Sequence, residues 1–327
     1  MEKIGRLGYL GLAIEGTAGS AEATPDVFIP YIENSMRGHH EPLMDNSARA
    51  SRVKDFTSVA GKQWGEGSVN MYLDATNAGY LLKMALGSEV RTEKNTTPPV
   101  HDHALYPTVS GNAVTSATLW NYRGFDVEQF TYASVDVCEI EVTTDGIATI
   151  TTSMMSKVPT VVTAPSLTTT SGTIFTWKDM VAQFGSTVDT ALSASATKLT
   201  NFKMTISNAL ALHYKSGSNS PDTITTGVLE VTGSYTMYFE NATDRDRYYA
   251  LTKQSMVISM TGAGLGVGGY SERLQIVLKK VVLEDIEIET GLDDFYAITC
   301  NFRAEIDNAQ AGYVEMTLRN GKSTDYA

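Results

Sequence analysis

The stretch "GSYTMYFENATDRDRYYAL" at residues 233–251 restates, with changes, an earlier one, "GSVNMYLDATNAGYLLKMAL" at 67–86. Gly67-Ser68 aligns with Gly233-Ser234 and Met71-Tyr72 with Met237-Tyr238, an offset of 166 (233 less 67). One inserted residue then brings Ala75-Thr76 onto Ala242-Thr243. A second block follows in the same order. "EIEVTTDGIATIT" from Glu139 matches "EIETGLDDFYAIT" from Glu287, an offset of 148 (287 less 139). The offsets differ by 18 (166 less 148), so the first repeat carries about that much extra loop between its blocks. Two blocks in one order point to duplication of one fold unit.

Most of the chain alternates at period two, as half-buried strands do. "LQIVLKKVVLEDIEIE" is the longest such run, too long for one ordinary strand, so a bend or two strands is expected there. "YASVDVCEIEVTT" and "TGVLEVTGSYTMYFE" read the same way. Each repeat holds one convincing helix, near 76–86 and 243–253. In the first, Asp74 or Thr76 caps, Ala78, Leu81, Leu82 and Ala85 share a face, and Gly87 stops the helix. In the second, Thr243 caps, Asp244 and Asp246 suit the dipole of the first turn, and Tyr248 and Leu251 face inward. The expected fold is mainly β: two tandem similar β-sandwich or barrel units, each with one flanking α-helix. Residues 1–160 form the first unit, with an irregular N-terminal arm and a long polar loop at 88–115. Residues 161–197 form a linker and 198–327 the second unit. Loops this long are usually functional.

At 327 residues the chain has room for two domains, and 42% hydrophobic residues fit a core-forming protein. A net charge of −12 argues against tight binding to a phosphate backbone, which needs clustered Lys and Arg. The two cysteines, Cys138 and Cys300, do not match under the repeat offsets and read as buried small hydrophobes rather than a disulfide. The N-terminus lacks a signal-peptide core, and no apolar run is long enough to span a membrane, so a soluble, unexported protein with no membrane partner is expected.

Several motifs suggest chemistry that their context does not support. "GAGLGVGGY" contains G-x-G-x-x-G at Gly264, Gly266 and Gly269. A dinucleotide site needs a helix N-terminus directly after the glycines, and here an alternating strand follows, so residues 262–269 read as a hairpin tip. His101 and His103 of "HDH" are half of a metal site at most, with no third ligand placed by spacing. No catalytic arrangement stands above chance, so no enzyme, cofactor or metal is expected.

The acidic pairs are more informative. Glu139 and Glu141 share one strand face, with Cys138, Ile140 and Val142 opposite. Asp285, Glu287 and Glu289 share a face in the second repeat, with Ile286 and Ile288 opposite. A solvated face explains one such pair. Two at equivalent stations suggest a surface where negative charge has a use.

The N-terminal stretch "GYLGLAIEGTAGSAEATPDVFIPYIENSM" resembles the start of the tail tube proteins (major tail proteins) of long, non-contractile-tailed bacteriophages. Glu15, Thr17, Gly19 and Phe28-Ile29-Pro30 carry the likeness. "GEGSVNMYLDATNAGYLLKMALGS" is similar to that family's Gly-Ser strand and helix. "HDHALYP" with "TSATLWNY", and "YASVDVCEIEVTTDGIATITTSMMSK", resemble the strands that follow. The resemblance implies units that join side by side into a continuous β-barrel, in rings that stack into a tube of six units around. A chain of two fused units then needs three copies per ring, a trimeric pseudo-hexamer. It further implies a virion location after assembly in the host cytoplasm, contacts with tape-measure, tail terminator and baseplate or tip proteins, and passage of double-stranded DNA without specific binding. The carboxylates Glu139, Glu141, Asp285, Glu287 and Glu289 are then expected on the lumen wall. The loops at 88–115 and 262–270 and the N-terminal arm become candidates for contacts between rings. The tube of a gene transfer agent is the nearest alternative, and a nucleotide-binding enzyme using residues 262–269 a distant one.

Overall fold

A computed structural model describes residues 5–111, 115–168, 172–239, 241–289, 296–310 and 312–326. The side chain of Glu289 also lies outside the described part. The protein is 53% strand and 9% helical, so it is mainly β.

In the first half, β1 (Tyr9–Ile14), β2 (Val27–Ile29), β3 (Glu33–Asn34), β4 (Arg37–His40), β5 (Leu43–Asp45), β6 (Thr57–Val59) and β7 (Gln63–Tyr72) precede helix α1 (Ala78–Leu86). Then come β8 (Gly87–Asn95), β9 (Val100–Pro107), β10 (Ser116–Tyr122), the long β11 (Val127–Thr143), β12 (Thr149–Ser156) and β13 (Thr160–Val162). The second half holds β14 (Met180–Gly185), the short α2 (Val188–Leu192), β15 (Asn201–Ser207), β16 (Ala211–His213), β17 (Thr223–Thr225) and β18 (Glu230–Tyr238). It closes with α3 (Thr243–Tyr249), β19 (Gln254–Gly264), the long β20 (Ser271–Glu289), β21 (Ala297–Ala304) and β22 (Val314–Asn320).

One hydrogen-bonded sheet of 18 strands joins both halves. Its long antiparallel run is β4–β7–β12–β11–β15–β18–β21–β20, with β3 continuing β4 against β7. The N-terminal parts of the two long strands take different neighbours. β11 is flanked there by β10 and β13, and β20 by β19 and β22. Each long strand bulges midway, between Val135 and Val137 in β11 and between Leu283 and Asp285 in β20. A bulge bends and twists a strand, which lets one strand serve two layers. The run expected to bend or split in two is therefore a single bulged strand.

The two halves keep the same register. Glu141 faces Thr149 and Glu289 faces Ala297, both shifted by 148 (289 less 141). The bulges obey the same offset (283 less 135). Thr149 then faces Tyr72, as Ala297 faces Tyr238. A second irregularity recurs on the other side. Leu119 faces Phe130 after a register step, and Met256 faces Leu278 after the matching one.

The core gathers Leu10, Leu119, Ile140 and Ile150 from the first half and Tyr235, Ile258, Ile276 and Phe302 from the second. Helix α1 is buried except for Lys83, so it packs on all sides rather than on one face. Its entry is held by Asp74, whose carboxylate accepts from the Thr76 and Asn77 amides at 2.7 and 2.6 Å. Asn77 rather than Thr76 occupies the N-cap, and Gly87 ends the helix at φ 100°. Ala242 occupies the cap of α3, whose first turn carries Asp244 and Asp246. Leu251 lies past α3 and is exposed, not inward, because the helix ends at Tyr249.

Three expectations of irregular chain need correction. Residues expected as a polar loop at 88–115 are largely the β8–β9 hairpin, and β9 pairs with β22 of the other half. The N-terminal arm supplies β1 and β2 to one ladder and β3 and β4 to another. Within 161–197, β14 pairs with β19. Alternation in "VRTEKN" was obscured because β8 exposes both faces over much of its length.

The thiols of Cys138 and Cys300 are free and buried. Burial pushes them up to about 12 and about 11 respectively. The thiolate is the nucleophile. Neither cysteine should react with iodoacetamide at pH 8 in the native state, and both should react in urea. Mass spectrometry before and after unfolding checks this.

Candidate assembly surface

The polar face of the long sheet is built from strands that alternate strictly. On β11, Cys138, Ile140 and Val142 are buried, which turns Glu139 and Glu141 to the opposite face. On β15, Phe202, Met204 and Ile206 are buried and Lys203 and Thr205 face out with the glutamates. The same alternation carries through β21, and on β18 Val231 and Tyr235 are buried on the core face while Gly233 and Met237 are part-buried. Directly opposed residues share a face, so one row reads Thr149, Glu141, Lys203, Ser234, Asn301, Asp285. The next reads Thr143, Asn201, Thr236, Thr299, Glu287. The acidic stations of the two repeats therefore lie on one face, four strands apart, about 19 Å at the usual spacing.

The face is not purely acidic. Lys203 Nζ lies 2.9 Å from Glu139, and Arg303 pairs with both Glu230 and Glu284. The sequence reading missed these cations, although the alternation of "NFKMTIS" was enough to put Lys203 beside Thr205. Most of the remaining face is short hydroxyl and amide side chains, which offer a phosphate backbone no charge to bind.

Glu15 acts from inside. Its carboxylate accepts from the Gly19 amide at 2.7 Å, the Ser116 hydroxyl at 2.6 Å, the Thr118 hydroxyl at 3.0 Å and the Tyr132 amide at 2.8 Å. Tyr132 sits at φ 62°, in the register step between β10 and β11. Glu15 thus fastens the turn after β1 to β10 and to a left-handed residue of β11. Glu15→Ala leaves four donors with no acceptor and should cost about 3 kcal/mol or more. Urea unfolding of the variant measures this.

The histidine motif is also structural. His103 lies 2.7 Å from Glu89 and, by its other ring nitrogen, 3.0 Å from the Lys322 carbonyl. Arg319 donates two bonds to Asp102, at 2.6 and 2.8 Å. The buried Tyr326 ring closes the cluster 4.9 Å from His103. "HDH" therefore locks the β8–β9 hairpin to β22 and to the C-terminal residues. Among the described residues no cluster of His, Cys, Asp or Glu is arranged to hold a metal.

The glycine run is a hairpin tip between β19 and β20. The Leu265 amide donates to the Tyr270 carbonyl at 2.9 Å, and Gly266 and Gly269 adopt positive φ. The strand β20 starts at Ser271, where a dinucleotide site would need a helix.

Among the described residues no helix is long and apolar enough to cross a membrane. No curated protein matches the chain. The family described as phage tail tube protein matches residues 5–308, nearly the whole length. With a mainly β chain and a broad polar sheet face already in evidence, that match decides the question: the protein belongs to the phage tail tube family and is a structural subunit of the tail tube of a virion.

Proposed function

We propose that the chain is a fused pair of tube units, and that three copies close one ring of the tail tube. The observation that carries this is the shared register: both long strands, both bulges and both register steps recur at fixed offsets. The two units are residues 1–160 and 198–327, joined by 161–197, which lends β14 to the second unit's sheet. Each chain supplies eight strands to the long sheet, counting β3 and β4 as one. Three chains would supply 24. At normal spacing and tilt such a barrel is about 45–50 Å across between backbones, wide enough for a duplex with side chains on both walls.

In this reading the polar face lines the bore. Glu139, Glu141, Asp285, Glu287 and Glu289 repel phosphates, and the hydroxyl rows between them leave few counterion-releasing contacts. DNA passes without being held. Head-to-tail contacts between rings are heterologous, so the stack grows open-ended. It would begin on baseplate or tip proteins, take its length from a tape-measure protein and end at a terminator. The chain's role is structural, not catalytic. Negative-stain microscopy of the purified protein tests the reading. Hollow tubes or rings are expected. Compact single particles at every concentration would overturn it.

A further inference from the structure

Where β20 runs between β19 and β22, one row of side chains carries charges that do not balance. Thr261 of β19 faces Arg273 of β20, Arg273 faces Arg319 of β22, Arg319 faces Asp102 of β9, and Asp102 faces Thr92 of β8. Leu274 and Leu318, adjacent in the chain, are buried in the core, so Arg273 and Arg319 point to the opposite face. Two like charges directly opposed on neighbouring strands repel. Asp102 is the carboxylate of the row and is already engaged. Arg319 donates to it at 2.6 and 2.8 Å, and Lys94 Nζ lies 3.6 Å away. Three cations thus share one carboxylate, a local charge of +2 (three less one) in a chain of −12.

Arg273 is the cation left over. Among the described residues its guanidinium has no ion-pair or hydrogen-bond partner, and its Nε–H is enclosed without an acceptor. Burial and the neighbouring Arg319 both push the group below its usual pKa. Holding the charge there is costly, and a bound anion would remove the cost. The acidic residues next along the strands do not supply it. Glu272 takes the other face of β20, and Glu93 accepts from the Thr96 hydroxyl. The Tyr270 ring, 5.2 Å from the Arg319 guanidinium, flanks the pair.

We propose that Arg273, Arg319 and Lys94 form a binding site for a doubly charged oxyanion, a phosphate or sulfate ion. The local charge of +2 matches a dianion, and guanidinium forks match its oxygens. Lys94 and Asp102 belong to the β8–β9 hairpin of the first half, Arg273 and Arg319 to the second half. A bound ion therefore rivets that hairpin to β20 and β22. The site is complete within one chain and does not depend on the tube reading.

Inorganic phosphate tests the site. Calorimetric titration of the full chain should find one phosphate per chain, displaced by sulfate and not by acetate at equal ionic strength. The melting temperature should rise by about 3 °C once phosphate exceeds its Kd about tenfold. Arg273→Gln should lose this binding. Without phosphate it should melt no lower than the wild type, because it relieves the opposed pair. Lys94→Gln, at a side chain 36% exposed, should weaken binding about threefold. Phosphate also stabilises proteins generally, by exclusion from their surface. Equal rises in the wild type and Arg273→Gln would therefore overturn the site. No binding by the wild type, or displacement by acetate as readily as by sulfate, would overturn it too. So would a fall of more than about 2 °C in Arg273→Gln without phosphate, which would show the arginine already satisfied by the protein.

Discussion

Particles carrying Glu141→Lys together with Glu289→Lys should build tails of normal length and eject their DNA slowly. The tails should survive because Glu141 is on the face opposite the core, where Ile140 and Val142 carry the packing. Ejection should slow because each ring then presents lysines to the phosphates. A protein that neutralises several phosphates gains affinity through released counterions, and loses it steeply as salt rises. One ring contributes little, but the duplex meets many rings in series. The expected slowing is about tenfold or more at low ionic strength, relieved by a few hundred millimolar salt. Lys203 is already paired with Glu139, so Lys203→Glu should have the smaller effect of adding repulsion. Ejection is followed by dye binding to released DNA, and tail length by microscopy. Normal tails with unchanged ejection would show that this face does not line the DNA path.

The second large effect falls on the glycine of the repeated Gly-Ser pair. A Cβ at Gly233 would stand 2.3 Å from the Lys203 carbonyl oxygen and 2.5 Å from the Phe302 ring. A Cβ at Gly67 would stand 2.5 Å from the Met36 backbone. Both glycines let a neighbouring strand approach, and they mark the same contact in each unit. Gly233→Val drives apart β15 and β18, two paired strands in the middle of the sheet, and presses on a buried aromatic. It should cost about 3 kcal/mol, the upper end for overpacking. Gly67→Val should cost a similar amount, because Met36 is buried and its carbonyl accepts from the Asn121 side chain, which ties β3 and β4 to β10 and leaves them no room to yield. Urea melts of the two variants measure both costs, and an unchanged midpoint for either would contradict the close strand approach.

How much of this was legible varies by element. The repeated blocks could be read because they contain the strand, the helix entry and the acidic strand, which pair in the same register in both halves. The offset between blocks misled on loop lengths. It falls from 166 at Tyr72 and Tyr238 to 137 at Leu119 and Met256, then rises to 148 at Glu141 and Glu289. The apparent 18 extra residues are the net of two changes. The β8–β9 hairpin lengthens the first unit by 29 (166 less 137), and the glycine hairpin lengthens the second by 11 (148 less 137). The acidic face was legible from period-two alternation alone. Arg303 and Lys203 were not weighed, because which strands neighbour β11 and β20 is a tertiary fact. The pairing of Arg37–His40 was hidden for a related reason. "ENSMRGHH" has one buried residue, Met36, and no strand pattern of its own. Its partner β7 gives it one.

The central claim is that one chain holds two units of the ring. Cryo-electron microscopy of intact tails, with the mass per ring measured by scanning transmission microscopy, tests it directly. The account predicts three chains per ring around a continuous 24-strand barrel, with alternate units carrying the β8–β9 hairpin. Six chains per ring, or a barrel whose wall excludes β20, would contradict it.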